Sequence, residues 1–398
     1  MLKVEDALER LLAQVRPLGA ERVSLADALG RVPVDAPLMA AHDVPPFANS
    51  AMDGYAVLSR EADAERRVIG ESRAGGPVPA AVESGTAVRI MTGAPMPAGA
   101  DAVIPIEDAS EADERVRFTA MPAPGAHVRA AGHDVASGTA VRLLRQPITS
   151  STIGLLAALG IAELEVHRIP RVAILSTGDE LQPVGALLEP GRIHDANGPA
   201  LAAAVTESGG VPVVLETAGD DAAIIEERIG DGVGRADLLL VSGGVSVGAR
   251  DHVRDVIERL GTLDFWRIAV QPGKPLAFGR VGQRPVIGLP GNPVSALVTF
   301  ELFVRPMLRR MLDINGDGRL RVRARVDETI GTDIGRRTFV RVRVEADGDE
   351  YRASSAGGQL SSQLLPLASA NGLLVVPEGV TDTVQGTFYE TILLGAVE

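Results

Sequence analysis

The sequence predicts a multidomain protein of mixed α/β plus β class, and three observations predict it. Between Arg171 and Leu312, strand-like apolar runs alternate with helix-like ones, the alternation of a doubly wound parallel sheet. On either side the chain changes style. From Val57 to about Val135, and again from Arg319 to Ile392, it breaks into short β-branched or alternating runs separated by turns. Finally, 398 residues with 45% hydrophobic content exceed one ordinary domain and fit about two to four.

From the N-terminus, Leu2 to Leu18 places Val4, Leu8, Leu11, Leu12 and Val15 at helical spacing, and Val23 to Leu29 continues in the same style. Val44 to Val57 reads VPPFANSAMDGYAV: paired prolines force an extended path, and Asn49, Ser50, Asp53 and Gly54 make a tight polar turn. Such a turn either presents Asp53 for chemistry or uses its carboxylate to accept backbone N–H bonds. Strand segments follow at Glu83 to Met91, Asp101 to Ile106, Arg115 to Thr119 and Ala126 to Arg129. The acidic stretch Glu107 to Glu114 has few apolar residues and reads as a solvated loop. Gly132, His133 and Asp134 form a second polar turn. Leu143 to Leu159 is helical, with Ser150 to Thr152 as its N-cap region. The β segments therefore read as an insertion between two helical ends.

The central segment carries the polar strand ends. Strand Arg171 to Ser176 runs into Thr177, Gly178, Asp179 and Glu180; helix Gly198 to Ser208, strand Val211 to Glu216, helix Asp221 to Ile229, strand Asp237 to Val241 and helix Asp251 to Leu260 follow. The last strand opens into SGGVSVGARD, where Ser242, Gly243, Gly244, Ser246 and Gly248 let backbone N–H groups approach an anion that a Cβ would push away. Ligands of open parallel sheets sit beyond the carboxyl ends of the strands, where this loop lies. A tight turn without a ligand is the alternative for a Gly-Gly pair alone. Asp179, Glu180, Asp220, Asp221 and Asp251 converge on the same edge, which favours Mg²⁺ or general-base work; Asp221 and Asp251 can each be only a helix cap.

Two proline-rich motifs follow, VQPGKPLAF at Val270 to Phe278 and GLPGNPVSA at Gly288 to Ala296. In the second, Asn292 can cap a helix whose first residue is Pro293, with Ser295 in its first turn and free N–H groups for an anion. In the first, two prolines and a glycine fix the backbone around Lys274. All but two of the 39 basic residues are Arg, the others being Lys3 and Lys274, so a lysine at this position stands out. Asp313 to Gly318 reads DINGDG but has Ala324 where a calcium loop needs its bidentate Glu, so it reads as a hinge. Arg319 to Asp327, Thr338 to Val344, Tyr351 to Ser354, Leu373 to Val376 and Thr387 to Ile392 are strands of a small β domain or barrel, with Gln359 to Gln363 (QLSSQ) as its polar loop.

Composition excludes several classes. A net charge of −13, with no Lys/Arg stripe to offset it, excludes non-specific nucleic-acid binding and disfavours anionic membranes. No apolar run reaches the length of a membrane span, and Met1 to Arg10 starts an amphipathic helix in place of a leader, so the expected location is cytoplasmic. With no cysteine and no HxxxH pair, a metal would be held by carboxylates, which favours Mg²⁺.

Together FANSAMDGYAV, RIMTGAPMPAGADAVIP, AGHDV, STGDEL, SGGVSVG, QPGKP and LPGNPVSA resemble, in order and from end to end, the molybdopterin molybdenumtransferase family, which includes the C-terminal domain of gephyrin. The resemblance implies four domains: an elongated helical one (1–24 and 137–168), an inserted β domain (25–136), a three-layer α/β/α molybdopterin-binding domain (169–315) and a C-terminal β barrel (316–398). It implies that adenylyl-molybdopterin and molybdate give molybdenum cofactor and AMP with Mg²⁺. It further implies a homodimer in which Asp53 faces the α/β/α site of the other subunit, and a molybdopterin adenylyltransferase as protein partner. By resemblance, Asp53, Asp134, Glu180, Asp251 and Lys274 are catalytic. The pterin nucleotide lies over Ser242 to Gly248 with Thr177 and Gly178, and Mg²⁺ lies near Asp220, Asp221 and Asp251. Molybdate lies near Lys274, Pro275 and Ser295, with Arg341 and Ser361 or Ser362 approaching from the barrel, and Asn292 is a further cofactor-binding residue. Two departures stand out: Gln271 occupies a position where the family often has a second Lys, and ARDHVR around Asp251 replaces the family's acidic and Tyr-Lys pattern. Other readings are an adenylyltransferase that attaches AMP to molybdopterin, because STGDEL and SGGVS also look like that family, and a non-catalytic scaffold of the gephyrin type.

Overall fold

A computed structural model describes residues 1–61, 64–77, 80–244, 252–332 and 334–397. Its contacts divide the chain into two units, Arg22–Val166 and Met1–Glu21 with His167–Glu398. The larger unit opens with helix α1 (Val4–Leu12), which buries Val4, Ala7 and Leu11 in the core of that unit. The helix is shorter than the apolar spacing predicts. Pro17 disfavours the α region for the residue before it, and Leu18 N–H bonds Met311 O at 2.8 Å, so Val15 is buried from a non-helical segment.

The smaller unit is built on a six-stranded sheet: β1 (Gly54–Val57), β2 (Glu65–Ser72), β3 (Thr86–Ile90), β4 (Ala102–Pro105), β5 (Ala109–Ala112) and β6 (Arg115–Phe118), in the order β4-β1-β3-β2-β6-β5. Alternation places Tyr55, Val57, Ala87, Ile104, Val116 and Phe118 in one core cluster and Ala56, Ile90 and Val103 in a second. Glu107 to Glu114 is exposed apart from Ala109, as its acidity predicts, but it is not a loop. It forms a 3₁₀ turn and strand β5, whose hairpin with β6 turns at Asp113 and Glu114, both with positive φ. Glu111 supplies the reason, since its carboxylate is paired with Arg89 and Tyr55 across the sheet. Val23 to Leu29 is also no helix: a strand ends at Ser24, whose hydroxyl caps the 3₁₀ turn Leu25–Asp27. Helix α2 (Ser150–Ala158) starts later than Leu143, capped by Thr149.

In the larger unit the predicted alternation is present: β7 (Arg171–Ser176), α3 (Asn197–Glu207), β8 (Val211–Val214), α4 (Ala222–Arg235), β9 (Leu238–Ser242) and α5 (His252–Leu260). Three further strands complete the sheet: β10 (Gly261–Arg267), β11 (Pro275–Val281) and β12 (Arg284–Leu289). The order is β8-β7-β9-β12-β11-β10, with β8, β7, β9 and β12 parallel and β11 antiparallel to both of its neighbours, β12 and β10. Successive residues of the central strands feed opposite layers. Val172, Ile174, Leu238 and Leu240 pack with α1 and α3, whereas Ala173, Leu175, Leu239 and Val241 pack with α4 and α5. This is a three-layer α/β/α domain with a sheet buried on both faces. A helical run follows as α6 (Pro293–Thr299), a π turn (Phe300–Val304) and α7 (Arg305–Met311).

After the Asp313 to Gly318 turn, strands β13 (Arg321–Val326), β14 (Arg337–Asp347), β15 (Glu350–Ser355), β16 (Gly372–Val376) and β17 (Phe388–Leu393) follow, with helix α8 (Leu364–Ala368) between β15 and β16. The order β14-β15-β13-β17-β16 closes through β16–β14 pairing, which makes a barrel with no free edge among these five strands. Val326, Val340, Val342, Val344, Ala353 and Leu374 fill it. No helix of the described residues is long and apolar enough to cross a membrane.

Candidate functional site

The carboxyl ends of β8, β7 and β9 are tied to one another before any ligand is considered. Thr177 N–H bonds Ser242 O at 2.9 Å, Gly178 N–H bonds Ala218 O at 3.0 Å, and Asp179 Oδ1 accepts Asp220 N–H at 3.0 Å. Gly243 and Gly244 both have positive φ, and a Cβ on Gly243 would lie 2.4 Å from Thr177 O. At least the first glycine of the pair is thus dictated by packing as well as by conformation. Beside them, Pro290, Gly291 and Asn292 lead from β12 into α6, and Pro272 and Gly273 lead to Lys274. Gly273, at φ 111°, has no room for a Cβ, which would meet Thr299 Oγ1 at 2.4 Å.

These loops and the barrel's 359–361 segment enclose a cavity of about 560 Å³. One side is lined by Thr177, Gly178, Glu180, Asp220, Gly243 and Gly244; the other by Lys274, Pro275, Asn292 and Ser295, with Ser361 from the barrel. Thr177 Oγ1 is buried with no hydrogen-bond partner among the described residues. Lys274 is exposed to the cavity, has its carbonyl held by Ile268 N–H at 2.9 Å, and has no ion-pair partner among the described residues. The arrangement sets an unpaired ammonium and a helix N-terminus opposite glycine backbone, which suits a ligand with more than one anionic group.

Several expected residues are placed differently. Asn292 occupies the N-cap position of α6 without a capping bond; its Nδ2 donates to Ser361 Oγ at 3.0 Å, which joins the α6 end to the barrel loop. Asp221 is the cap of α4, its Oδ1 accepting from Ala223 and Ile224 N–H, and it is not among the residues that line the cavity. Ser242 lies beneath the loop with its hydroxyl engaged by Asn197. Arg341 does not line the cavity. Its guanidinium is buried under the barrel loop, Nη2 donating to Gly358 O and Leu360 O at 3.2 Å each, and burial pulls its pKa down to about 10. The barrel cation at the cavity is Arg336, which sequence reasoning missed because one arginine among so many carries no signal. Ser362 is exposed and outside the cavity lining. Ser246, Gly248 and Asp251 lie outside the described residues.

Among the described residues, no group of three or more His, Asp or Glu side chains gathers in a metal-holding arrangement. Asp220 and Glu180 are the cavity carboxylates among the described residues; that of Glu180 lies over Gly178, where a Cβ would come within 2.5 Å of Oε2. Asp53 and Asp134 belong to the smaller unit. Thr92 N–H and Oγ1–H, at 2.6 and 2.7 Å from Asp53 Oδ1, hold the Asp53 carboxyl below the usual range. The Asp53 turn is thus locked to the 92–94 loop, leaving Oδ2 without a hydrogen-bond partner among the described residues.

Comparison with known proteins covers nearly the whole chain. Residues 2–160 match the MoeA N-terminal region (domain I and II), residues 173–310 a probable molybdopterin binding domain, and residues 323–394 the MoeA C-terminal region (domain IV). The chain is 40% identical over 396 residues, 96% of each chain, to a Mycobacterium tuberculosis protein named molybdopterin molybdenumtransferase 2. It is 39% identical over 317 residues, 78% of each chain, to the Haemophilus influenzae molybdopterin molybdenumtransferase. Among solved structures, the molybdopterin biosynthesis MoeA protein of Pyrococcus horikoshii is similar across 100% of both chains, with a TM-score of 0.85 at 32% identity.

Proposed function

Because this chain belongs to the molybdopterin molybdenumtransferase family, we propose that the cavity at its strand ends brings adenylyl-molybdopterin and molybdate together, molybdenum entering the pterin and AMP leaving. The observation that carries this reading is a cavity in which Gly243 and Gly244, the start of α6 and Lys274, without an ion-pair partner among the described residues, meet. Cleaving a phosphoanhydride separates two phosphates, so catalysis rests on positioning and on neutralising charge. Here the backbone at Gly243 and Gly244 receives phosphate oxygens, Thr177 Oγ1–H donates a hydrogen bond, and Lys274 with Arg336 faces the molybdate oxyanion. Asp220, whose carboxylate has no hydrogen-bond partner among the described residues, and Glu180 suit a hard divalent cation. Mg²⁺ bound there would supply further charge neutralisation.

The test is direct: purified protein with adenylyl-molybdopterin, Mg²⁺ and molybdate should release AMP, and the release should depend on molybdate and not on ATP. An ATP requirement would move the protein to the adenylyltransferase reading, against which the matched regions flanking the α/β/α domain already stand. No AMP release under any condition would return the scaffold reading.

The homodimer is part of the same proposal, with Asp53 of one copy serving the cavity of the other. Mixing Asp53→Ala and Lys274→Ala chains is expected to restore about a quarter of wild-type activity, since random pairing gives half heterodimers with one intact site each. Verified heterodimers that stay as inactive as either parent would place both residues in one copy's site, or Asp53 in none.

A further inference from the structure

Asn197, the first residue of α3, is held to neither loop by sequence yet touches both. Its Nδ2 donates to Ser242 Oγ at 2.8 Å and to Gly291 O at 2.8 Å. One amide group therefore bridges the end of β9, where the Gly243–Gly244 loop begins, and the Pro290–Asn292 loop that starts α6. The two loops also meet backbone to backbone: a Cβ on Gly291 would find Gly243 Cα at 3.7 Å. Asn197 is itself fixed from behind. Gly198 N–H bonds Asp195 Oδ1 at 2.9 Å, and a Cβ on Gly198 would strike both Asp195 and Ser176 Oγ. An amide suits this task because one nitrogen supplies two donors with a fixed angle between them.

We infer that Asn197 is a positioning residue that sets the spacing between the two halves of the cavity, so that a ligand spanning both is held in one register. The inference rests on the function proposed above, in which the nucleotide phosphates occupy the Gly243 side and molybdate the side of Lys274 and Arg336. Asn197 touches neither reacting group. Its effect falls on the alignment of one half against the other, and misalignment near 1 Å costs on the order of 100-fold in rate.

Asn197→Asp is the sharper variant, with Asn197→Ala beside it. Aspartate keeps the shape and is favoured at a helix N-terminus, but it sets an acceptor against Gly291 O, so thermal stability should hold while the bridge breaks. Hydrogen exchange reads the bridge itself: amides of Gly243, Gly244 and Gly291 should exchange faster in the variant, while β9 and β12 keep their protection. Turnover reads the consequence, an expected fall of about 10- to 100-fold in molybdate-dependent AMP release. AMP alone, which occupies one half, should bind as it does to the wild type. Unchanged loop exchange overturns the inference, as does wild-type turnover, and a loss of AMP binding in step with activity would reduce Asn197 to a structural prop. A wild-type protein that releases no AMP would sink the proposed function alone, because the exchange measurement still decides the bridge.

Discussion

Lys274→Arg is expected to slow AMP release about 30- to 1,000-fold at limiting molybdate, a loss of about 2 to 4 kcal/mol in transition-state stabilisation, although it conserves charge. The reason lies in the backbone. Gly273 is packed against Thr299 at φ 111°, and the Lys274 carbonyl is held by Ile268, so the main chain at this position cannot retreat to make room for a planar fork. An ammonium at the end of a flexible stem can meet one oxygen of a tetrahedral anion; a guanidinium demands a bidentate partner and more space. The defect should appear chiefly as a raised molybdate requirement, with AMP binding retained, since the Gly243 side of the cavity is untouched. Normal turnover of Lys274→Arg at limiting molybdate would make the lysine a bystander and leave Arg336 as the cation that matters.

The α/β/α domain was legible in the sequence because its central strands are buried on both faces and so appear as unbroken apolar runs, bounded by helices whose starts carry Asp or Asn. The same logic failed where a strand is short or edged with proline. Residues 275–281 and 284–289 form adjacent strands that the local pattern does not announce, because only pairing with a neighbour reveals that Pro275 and Pro285 sit at or near a strand start. Glu107 to Glu114 misled for another reason: charge implied solvation, which holds, and with it a loop, but Glu111 pairs with Arg89 and Tyr55 across the sheet, a contact no local pattern contains. At the site, glycine and proline motifs marked the loops well, since they encode backbone shape. Individual side chains were harder. Arg341 and Arg336 stand five positions apart in one barrel segment, and only the fold decides that Arg341 points beneath the loop and Arg336 toward the cavity. Asn197 carried no signal beyond a helix start, because its two partners are 45 and 94 residues away.

Gly243→Ala and Gly291→Ala should separate the two reasons a ligand loop keeps its glycines. At Gly243 the backbone sits at φ 96° and a Cβ would lie 2.4 Å from Thr177 O, a main-chain atom whose peptide is itself fixed by the bond from Gly178 N–H to Ala218 O. Strain and overlap together should destabilise the domain by about 2 to 4 kcal/mol, visible as a lower unfolding midpoint before any ligand is added. At Gly291 the φ is ordinary and a Cβ would meet only Gly243 Cα at 3.7 Å, an ordinary contact, so stability should be unchanged. The methyl would instead enter the cavity lining, and the substrate requirement for AMP release should rise by about 10-fold, the cost of one ill-placed methylene in a fitted pocket. The two variants thus part on different axes, one thermal and one kinetic. If Gly291→Ala turns over with unchanged substrate requirement, the ligand does not approach that backbone, and the α6 end serves the fold in place of the reaction.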